Sequence, residues 1–309
     1  MRASQAKTFD AGGASDFPFH SDALKTCFIV NPRSGCAVRA LPQVRSSAAT
    51  HTAMVKLTER SRHATEIALQ ALGAGCELIV AVGGDGTMNE VATSLVGTDA
   101  IFGLVPCGSG DGLGRHLGIH GSITRALEIL FTGQPRPIDT GIADGHPFFT
   151  AAGIGFEAQI AQRFNQLHRR GFARYLTTSV MAFHQWNPES YTISSPQGTE
   201  TVRAFTLTAT NANQYGNNAR IAPEALVDDG LIDLCTVPPV NYWNALPLAR
   251  HLFHGTIDRV PGVIIRRGDR FTVERDAPGL LHTDGELHEA GRRIEFTVRP
   301  ASLRIMVPA

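Results

Sequence analysis

Hydrophobic positions in the first half of the chain fall into short runs, of which that at residues 78–82 is unbroken. Each run is followed by a turn-rich stretch and then by apolar residues spaced three and four apart. The runs lie at residues 26–30, 52–57, 78–82 and 100–105. An unbroken run of this length reads as a strand covered on both faces, the condition of a parallel sheet. The segments between them carry helical spacing: residues 37–49, interrupted by Pro42, then 62–72, a helix opening near Thr87, then 113–117 and 123–131. In residues 62–72 the apolar face is Ala64, Ile67, Ala68, Ala71 and Leu72. Four strands alternating with helices predict an α/β domain with a parallel sheet.

The pattern changes around Pro135-Arg136-Pro137. Short β-like segments follow at 138–143, 148–152, 191–194, 202–210, 231–237, 262–266, 270–274, 293–298 and 302–307, separated by turn residues. Two helical stretches, 157–186 and 241–253, interrupt them. This half reads as an all-β sandwich. The expected organisation is a disordered tail over 1–22, an α/β nucleotide-binding domain over 23–140 and a β-sandwich substrate domain over 141–309, the last strand being free to return to the first domain. The tail is polar and rich in Gly, Ala and Ser, without the apolar core of a signal peptide.

The ends of the predicted strands carry the candidate chemistry. Residues 78–90 read L-I-V-A-V-G-G-D-G-T-M-N-E. A strand breaks into Gly83-Gly84-Asp85-Gly86-Thr87 and a helix begins, with Thr87 and Glu90 at capping-box spacing. Glycines let a ligand approach the backbone, and helix N-terminal N–H groups favour anions. Asp85 would repel phosphate unless it holds a metal or takes a proton from a nucleophile. The plain alternative is a turn-forming Asp. Asn31-Pro32-Arg33-Ser34-Gly35 and Pro106-Cys107-Gly108-Ser109-Gly110-Asp111-Gly112 end the first and fourth strands. Each alone is an ordinary turn; three glycine-bearing loops on one sheet edge make a nucleotide-sized anion pocket. His63, by itself, reads as structural. In the second half, Asp228-Asp229-Gly230 offers oxygen ligands to a hard cation or a hairpin turn. Thr283-Asp284-Gly285-Glu286 sets two carboxylates on a turn or is only a hairpin tip. Residues 169–186 combine Arg169, Arg170 and Arg174 with a row of apolar side chains, a lipid-contacting helix or one packed on the sandwich.

Composition narrows the classes. The 309 residues hold 28 Lys+Arg and 28 Asp+Glu, so no net field draws nucleic acid. Hydrophobic residues at 43% suffice for a sizeable core, and no apolar run reaches the 18 residues of a membrane span. The five cysteines are odd in number and contain no C-x-x-C, which favours reduced thiols over a disulfide framework or zinc site. Neither a Walker A sequence nor a protein-kinase H-R-D is present.

Six motifs in order resemble the diacylglycerol kinase catalytic-domain family, which includes bacterial soluble lipid kinases and sphingosine and ceramide kinases. They are N-P-x-S-G at 31–35, T-x4-H-A at 58–64, G-G-D-G-T-x-N-E at 83–90, P-x-G-[ST]-G at 106–110, A-P-x-A-x-x-D-D-G-x-[LI]-D at 222–233 and D-G-E at 284–286. The G-G-D-G element alone also occurs in NAD kinases and phosphofructokinases; the ordered set spans about residues 25–307. The resemblance implies an α/β domain like that of phosphofructokinase and NAD kinase, a β-sandwich, and ATP in the cleft between them. Carried over motif by motif, Asn31, Pro32, Arg33, Ser34, Gly35, Thr58, Gly83, Gly84, Asp85, Gly86, Thr87, Asn89, Gly108, Ser109 and Gly110 would contact the nucleotide. Asp284 and Glu286 would supply the general base and Mg²⁺ contacts; the sphingosine kinases give the base role to the residue matching Asp85. Leu226, Asp229 and Leu231 match a structural Mg²⁺ loop. Relatives carry G-[ST]-G-N-D/A where this chain has Gly108-Ser109-Gly110-Asp111-Gly112, so Asp111 loses an amide donor and adds charge. The function implied is an ATP- and Mg²⁺-dependent lipid kinase acting on a lipid such as diacylglycerol or a sphingoid base. The alternatives are an NAD kinase-like small-molecule kinase and a catalytically silent nucleotide- or lipid-binding module. The implied setting is cytoplasmic, peripheral to the inner face of the membrane, with transient contact to a lipid substrate and a homodimer left open.

Overall fold

The computed structural model describes residues 24–165, 183 and 186–309. The expected tail over 1–22 and most of the basic-apolar stretch 169–186 lie outside the described residues.

Strand β1 (Thr26–Val30) is buried at every position, as is β3 (Leu78–Gly83). With β2 (Met54–Leu57) and β4 (Ile101–Pro106) they form a parallel array in the order β2-β1-β3-β4. Helices α1 (Ala37–Thr50), α2 (His63–Gly73), α3 (Asp85–Leu95), α4 (Gly112–His116) and α5 (Ile123–Thr132) connect and flank these strands. The apolar runs of β1, β3 and β4 thus become strands covered on both faces, with β2 a partly exposed edge strand, and the array is the α/β part of the molecule.

The C-terminal half is an antiparallel β-sandwich. One layer is the sheet β12-β11-β10-β7-β14-β15, made of Ile264–Gly268, Ile232–Val237, Thr206–Thr210, Ala151–Gly155, Gly279–Thr283 and Glu286–Ala290. The other layer continues the α/β sheet through β16 (Arg293–Val307), β13 (Arg270–Arg275), β8 (Glu189–Ser195) and β9 (Gly198–Ala204). Strands β5 (Gln134–Ala143) and β6 (His146–Phe148) extend from β16. Phe148, Tyr191, Phe271 and Phe296 fill the space between the layers. Helix α6 (Phe156–Asn165) follows β7, and helix α7 (Tyr242–His254) follows β11.

Four local expectations change. Residues 202–210 are two strands, β9 and β10, in different layers, with Phe205 at the corner. Residues 148–152 likewise divide between β6 and β7. Residues 293–298 and 302–307 are a single strand, β16, with a register shift between Arg299 and Leu303. The capping box of Thr87 and Glu90 does not form. Helix α3 already begins at Asp85, with extended Gly84 before it. Glu90 instead accepts backbone N–H bonds from Arg62 and Ala64 at 3.1 Å each, closing the N-terminus of α2.

The long strand joins the two halves. Near its end Arg304 and Ile305 pair in parallel with Ile101 and Phe102 of β4, and its first residues pair antiparallel with β13. Buried Asp139 holds the irregularity between them. Its two carboxylate oxygens accept from the N–H groups of Ala301 and Gly230, each at 2.7 Å.

Candidate active site

The carboxyl ends of β1, β3 and β4 are stitched to one another by their own backbone. Asn31 N–H donates to Val82 O at 3.0 Å, Cys107 N–H to Gly83 O at 2.7 Å, and Cys36 N–H to Cys107 O at 3.1 Å. Gly35 has φ +50°, and a Cβ there would lie 1.7 Å from Cys107 O, so only glycine allows this approach. Side chains complete the frame. Ser34 Oγ accepts from Gly84 N at 2.7 Å. Asn31 accepts from Arg33 N through Oδ1 and donates through Nδ2 to Thr87 Oγ1, both at 3.0 Å. Thr58, buried at the end of β2, donates its N–H to Val30 O. Arg33, Gly86 and Ser109 are exposed around this edge.

Asp85 stands where the loops converge. Its Oδ1 accepts from Asp111 N at 3.0 Å. Its Oδ2 faces Gly110, where a Cβ would come within 2.6 Å. A small cavity lies against it, lined by Gly84, Met88, Gly108, Asp111 and Leu113 among others. Burial first, then the charges of Asp111 and Asp284, push the Asp85 pKa up to about 6. Asp111 takes φ +53°, a conformation Asp and Asn tolerate better than most residues. Its carboxylate meets His120 Nδ1 at 3.1 Å. Burial raises the Asp111 pKa, against the pull of His120.

The tip of the β14–β15 hairpin reaches the same place from the other half. Asp284 Oδ1 accepts from Thr150 N and Ala151 N at 2.9 and 3.0 Å. Its Oδ2 accepts from Phe149 N at 2.8 Å and from Asn89 Nδ2 of α3 at 3.0 Å. Burial pushes the Asp284 pKa up while these four donors pull it down. Four donors fill the acceptor sites of the carboxylate. Glu286, two residues on, is exposed.

Comparison with known proteins agrees with this geometry. The diacylglycerol kinase catalytic domain matches residues 25–143, and the YegS C-terminal NAD kinase beta sandwich-like domain matches residues 150–307. A Pseudomonas putida protein named "Probable lipid kinase YegS-like" is 31% identical over 261 residues, covering 82% of this chain and 85% of its own. A protein of the same name from Pseudomonas aeruginosa PAO1 is 31% identical over 265 residues, covering 82% and 84%. The chain belongs to the diacylglycerol kinase catalytic-domain family. It is a kinase, a phosphotransferase. A solved diacylglycerol kinase of Bacillus anthracis strain Sterne shares the fold, with a TM-score of 0.70 at 16% identity, covering 92% of this chain and 96% of that one.

In this kinase the loop carrying Leu226, Asp229 and Leu231 is tied to β5 through Gly230 and Asp139. Asp229 Oδ1 accepts from Leu231 N at 3.1 Å, and its Oδ2 lies 3.7 Å from Arg267 Nη1. Asp228 is bound by Arg136. Leu226 is exposed. Among the described residues no three His, Cys, Asp or Glu side chains are grouped to hold a metal. The oxygens that the resemblance assigns to Mg²⁺ here are the backbone carbonyls of Leu226 and Leu231 and the Asp229 carboxylate, which has Arg267 beside it.

The kinase also contains a buried polar cluster beside the hairpin that the residue patterns did not reveal. His282 Nε2 lies 3.0 Å from Glu157 Oε2, and Glu157 Oε1 accepts from Thr208 Oγ1 at 2.7 Å. Thr208 in turn meets Tyr215 OH at 3.1 Å. Gly153 permits this: a Cβ there would lie 2.0 Å from Glu157 Oε2. The loop after β10 closes over the third glycine turn, where Asn217 N–H donates to Gly110 O at 3.2 Å and Asn213 N–H to His116 Nδ1 at 3.2 Å. His63 serves the backbone, its Nδ1 accepting from Glu59 N at 3.0 Å. Glu157 with His282, and His116 with Asn213, lie 125 and 97 residues apart in sequence and leave no periodic trace.

Proposed function

We propose that this kinase transfers the γ-phosphoryl group of ATP, with Mg²⁺, to a hydroxyl of a lipid such as diacylglycerol or a sphingoid base, with Asp85 as the general base. The observation that carries the reading is the Asp85 carboxylate, half-buried at the meeting of the glycine loops with an oxygen facing Gly110. A base working near neutrality needs a pKa near the working pH, and about 6 meets that condition. Asp284 is the weaker candidate, because its oxygens already accept four hydrogen bonds. We assign it the role of positioning residue for residues 149–151, with exposed Glu286 left to meet the incoming substrates.

The proposed nucleotide contacts are the turns at Asn31–Gly35, Gly83–Thr87 and Gly108–Gly110, with Thr58 and Asn89 fixing the frame beneath them. Phosphoryl transfer asks mainly for charge neutralisation and in-line placement. Mg²⁺ bound with the nucleotide supplies part of that neutralisation. The acceptor hydroxyl loses its proton to Asp85 as its oxygen bonds to the γ-phosphorus, the bond to the β-phosphate oxygen breaks, and ADP leaves. The names of the Pseudomonas relatives support a lipid acceptor. A cytoplasmic enzyme meeting its substrate at the membrane face is the matching setting; no helix of the described residues is long and apolar enough to cross a membrane.

The test is transfer from γ-labelled ATP with Mg²⁺ to diacylglycerol, monoacylglycerol, sphingosine, ceramide and phosphatidylglycerol in mixed micelles, with NAD as a separate acceptor. Labelled lipid is expected, and Asp85→Asn should lower turnover by about 10²–10⁴-fold. Label on NAD alone would replace the lipid acceptor. ATP binding without transfer to any acceptor would make the protein a silent module, and wild-type turnover by Asp85→Asn would remove the base assignment.

A further inference from the structure

We propose that helix α7 docks this kinase on a lipid bilayer, its outward face entering the interface of a membrane with anionic headgroups. The inference rests on the lipid-kinase reading and adds to it the surface that meets the membrane. Helix α7 contains no buried residue. Its inner side chains Leu248 and Leu252 are half-buried, packed on the cluster of Phe156, Phe205, Cys235 and Ile257. The opposite face carries Trp243, Leu246, Pro247 and Arg250, whose spacing places them on one stripe. Trp243 is 91% exposed and Leu246 78% exposed. A surface helix ordinarily turns charged and polar residues outward. This one turns out an indole, an isobutyl group and a proline ring. Tryptophan suits the boundary between headgroups and acyl chains, where its ring is partly apolar and its N–H stays wet.

Charge selects the partner. From Leu234 to Ile257 the chain has no Asp or Glu. Arg250 lies on the exposed stripe, the exposed Arg220 side chain lies against Gly255 just beyond the helix, and Arg259 is exposed in the next turn. An apolar centre rimmed by three arginines, against the single exposed acid Asp258 beside Arg259, complements anionic headgroups over hydrocarbon. The chain as a whole is neutral, so this attraction is local. A second copy of the chain is a poorer occupant. Even with Tyr242 and Phe253 beside Trp243 and Leu246, the exposed apolar side chains of one helix fall short of the roughly 800 Å² per partner of a standard stable interface. The placement also suits the chemistry: α7 rests on the cluster holding Phe156, the first residue of α6, and Glu157 of α6 bonds His282 beside the Asp284 turn.

The experiment uses the full chain and vesicles of phosphatidylcholine with about a third phosphatidylglycerol, an anionic lipid. The chain has two tryptophans, and Trp186 already donates its indole N–H to Phe205 O. Wild-type protein should cosediment with these vesicles and shift its tryptophan emission to shorter wavelength. Trp243→Ala should abolish the shift and weaken vesicle binding by at least about tenfold. Leu246→Ser should weaken binding while leaving both tryptophans to report that the fold is intact. Both variants should keep wild-type turnover on lipid dispersed in detergent and lose it on vesicle-borne lipid. Wild-type vesicle binding by both variants would overturn the docking face even where lipid is phosphorylated. Vesicle binding through Trp243 without phosphorylation of any lipid would leave the docking face standing and remove the lipid-kinase reading. A wild-type dimer that Leu246→Ser dissociates, in sedimentation without lipid, would make α7 a contact between copies and overturn the proposal.

Discussion

At the scale of single residues, the two half-buried aspartates near the glycine loops are held differently. Asp85 has Asp111 and Asp284 as charged neighbours, and its pKa is raised to about 6. Asp284 is wrapped by three backbone amides and Asn89. Burial raises both pKa values, so the opposite effects on stability expected of the two Asn variants come from the four donors that Asp284 holds. An aspartate has a pKa of about 3.9 in an unfolded chain. With the folded value higher, the folded state binds more protons between the two values, so stability falls as pH rises through that window and stays lower above it. Asp85→Asn removes the charge that causes this loss. It should stabilise the protein at pH 7 by on the order of 2 kcal/mol and change stability little near pH 4. Asp284→Asn replaces one accepting oxygen by a donor, stranding the N–H groups that faced it. It should destabilise by about 2–4 kcal/mol, since each orphaned buried donor costs roughly 1–3 kcal/mol. Denaturant titrations of both variants at the two pH values check this. A destabilised Asp85→Asn at neutral pH would mean that the carboxylate is a structural acceptor and not a strained functional group.

Among the elements, β16 carries the most consequence for the fold, and Asp139 is what lets it bend. The strand pairs with β13 in one half and with β4 in the other, and between them Ala301 takes φ +49°. The Asp139 carboxylate, 2% exposed, receives the Ala301 and Gly230 N–H groups on separate oxygens. Asp139→Ala leaves both donors without this partner and should cost about 2–5 kcal/mol in urea unfolding. A change below about 0.5 kcal/mol would show that solvent replaces the carboxylate there. The same element marks how far sequence patterning reaches. The inner parallel strands were legible because they are buried on both faces and so run apolar, as in Leu78, Ile79, Val80, Ala81 and Val82. The glycine turns were legible because Gly35 and Gly110 leave no room for a Cβ. Strand β16 read as two pieces because Arg299-Pro300-Ala301 interrupts its alternation, and its continuity is imposed by β4, β5 and β13. Glu90 read as a cap of its own helix, yet it closes α2. Asn89 with Asp284, and Glu157 with His282, are contacts across 195 and 125 residues that no local spacing encodes.

For the whole molecule, the candidate site belongs to neither half alone. Asp85 and Asn89 come from α3, Asp284 from the β14–β15 hairpin, and the loop at Asn213–Asn217 covers the third glycine turn from the sandwich side. The halves are also continuous through β16. Leu303, Ile305, Met306 and Val307 are buried in the α/β core, while Ile294 and Phe296 of the same strand are buried in the sandwich core. Burying an aliphatic or Phe side chain is worth roughly 1.5–3 kcal/mol each. Unfolding the sandwich would drag the strand from β4, expose that edge and remove four side chains from the first core. Unfolding the α/β part would open the second core from the other end. Neither half should therefore persist without the other. Scanning calorimetry of the full chain is expected to give one transition whose calorimetric and van't Hoff enthalpies agree. Binding of a non-hydrolysable ATP analogue with Mg²⁺ should raise the midpoint of that single transition, because the ligand binds only the folded state. Two resolved transitions, of which the analogue shifts only one, would mean that β16 does not couple the halves and that the turn bearing Asp284 can separate from Asp85 without unfolding it.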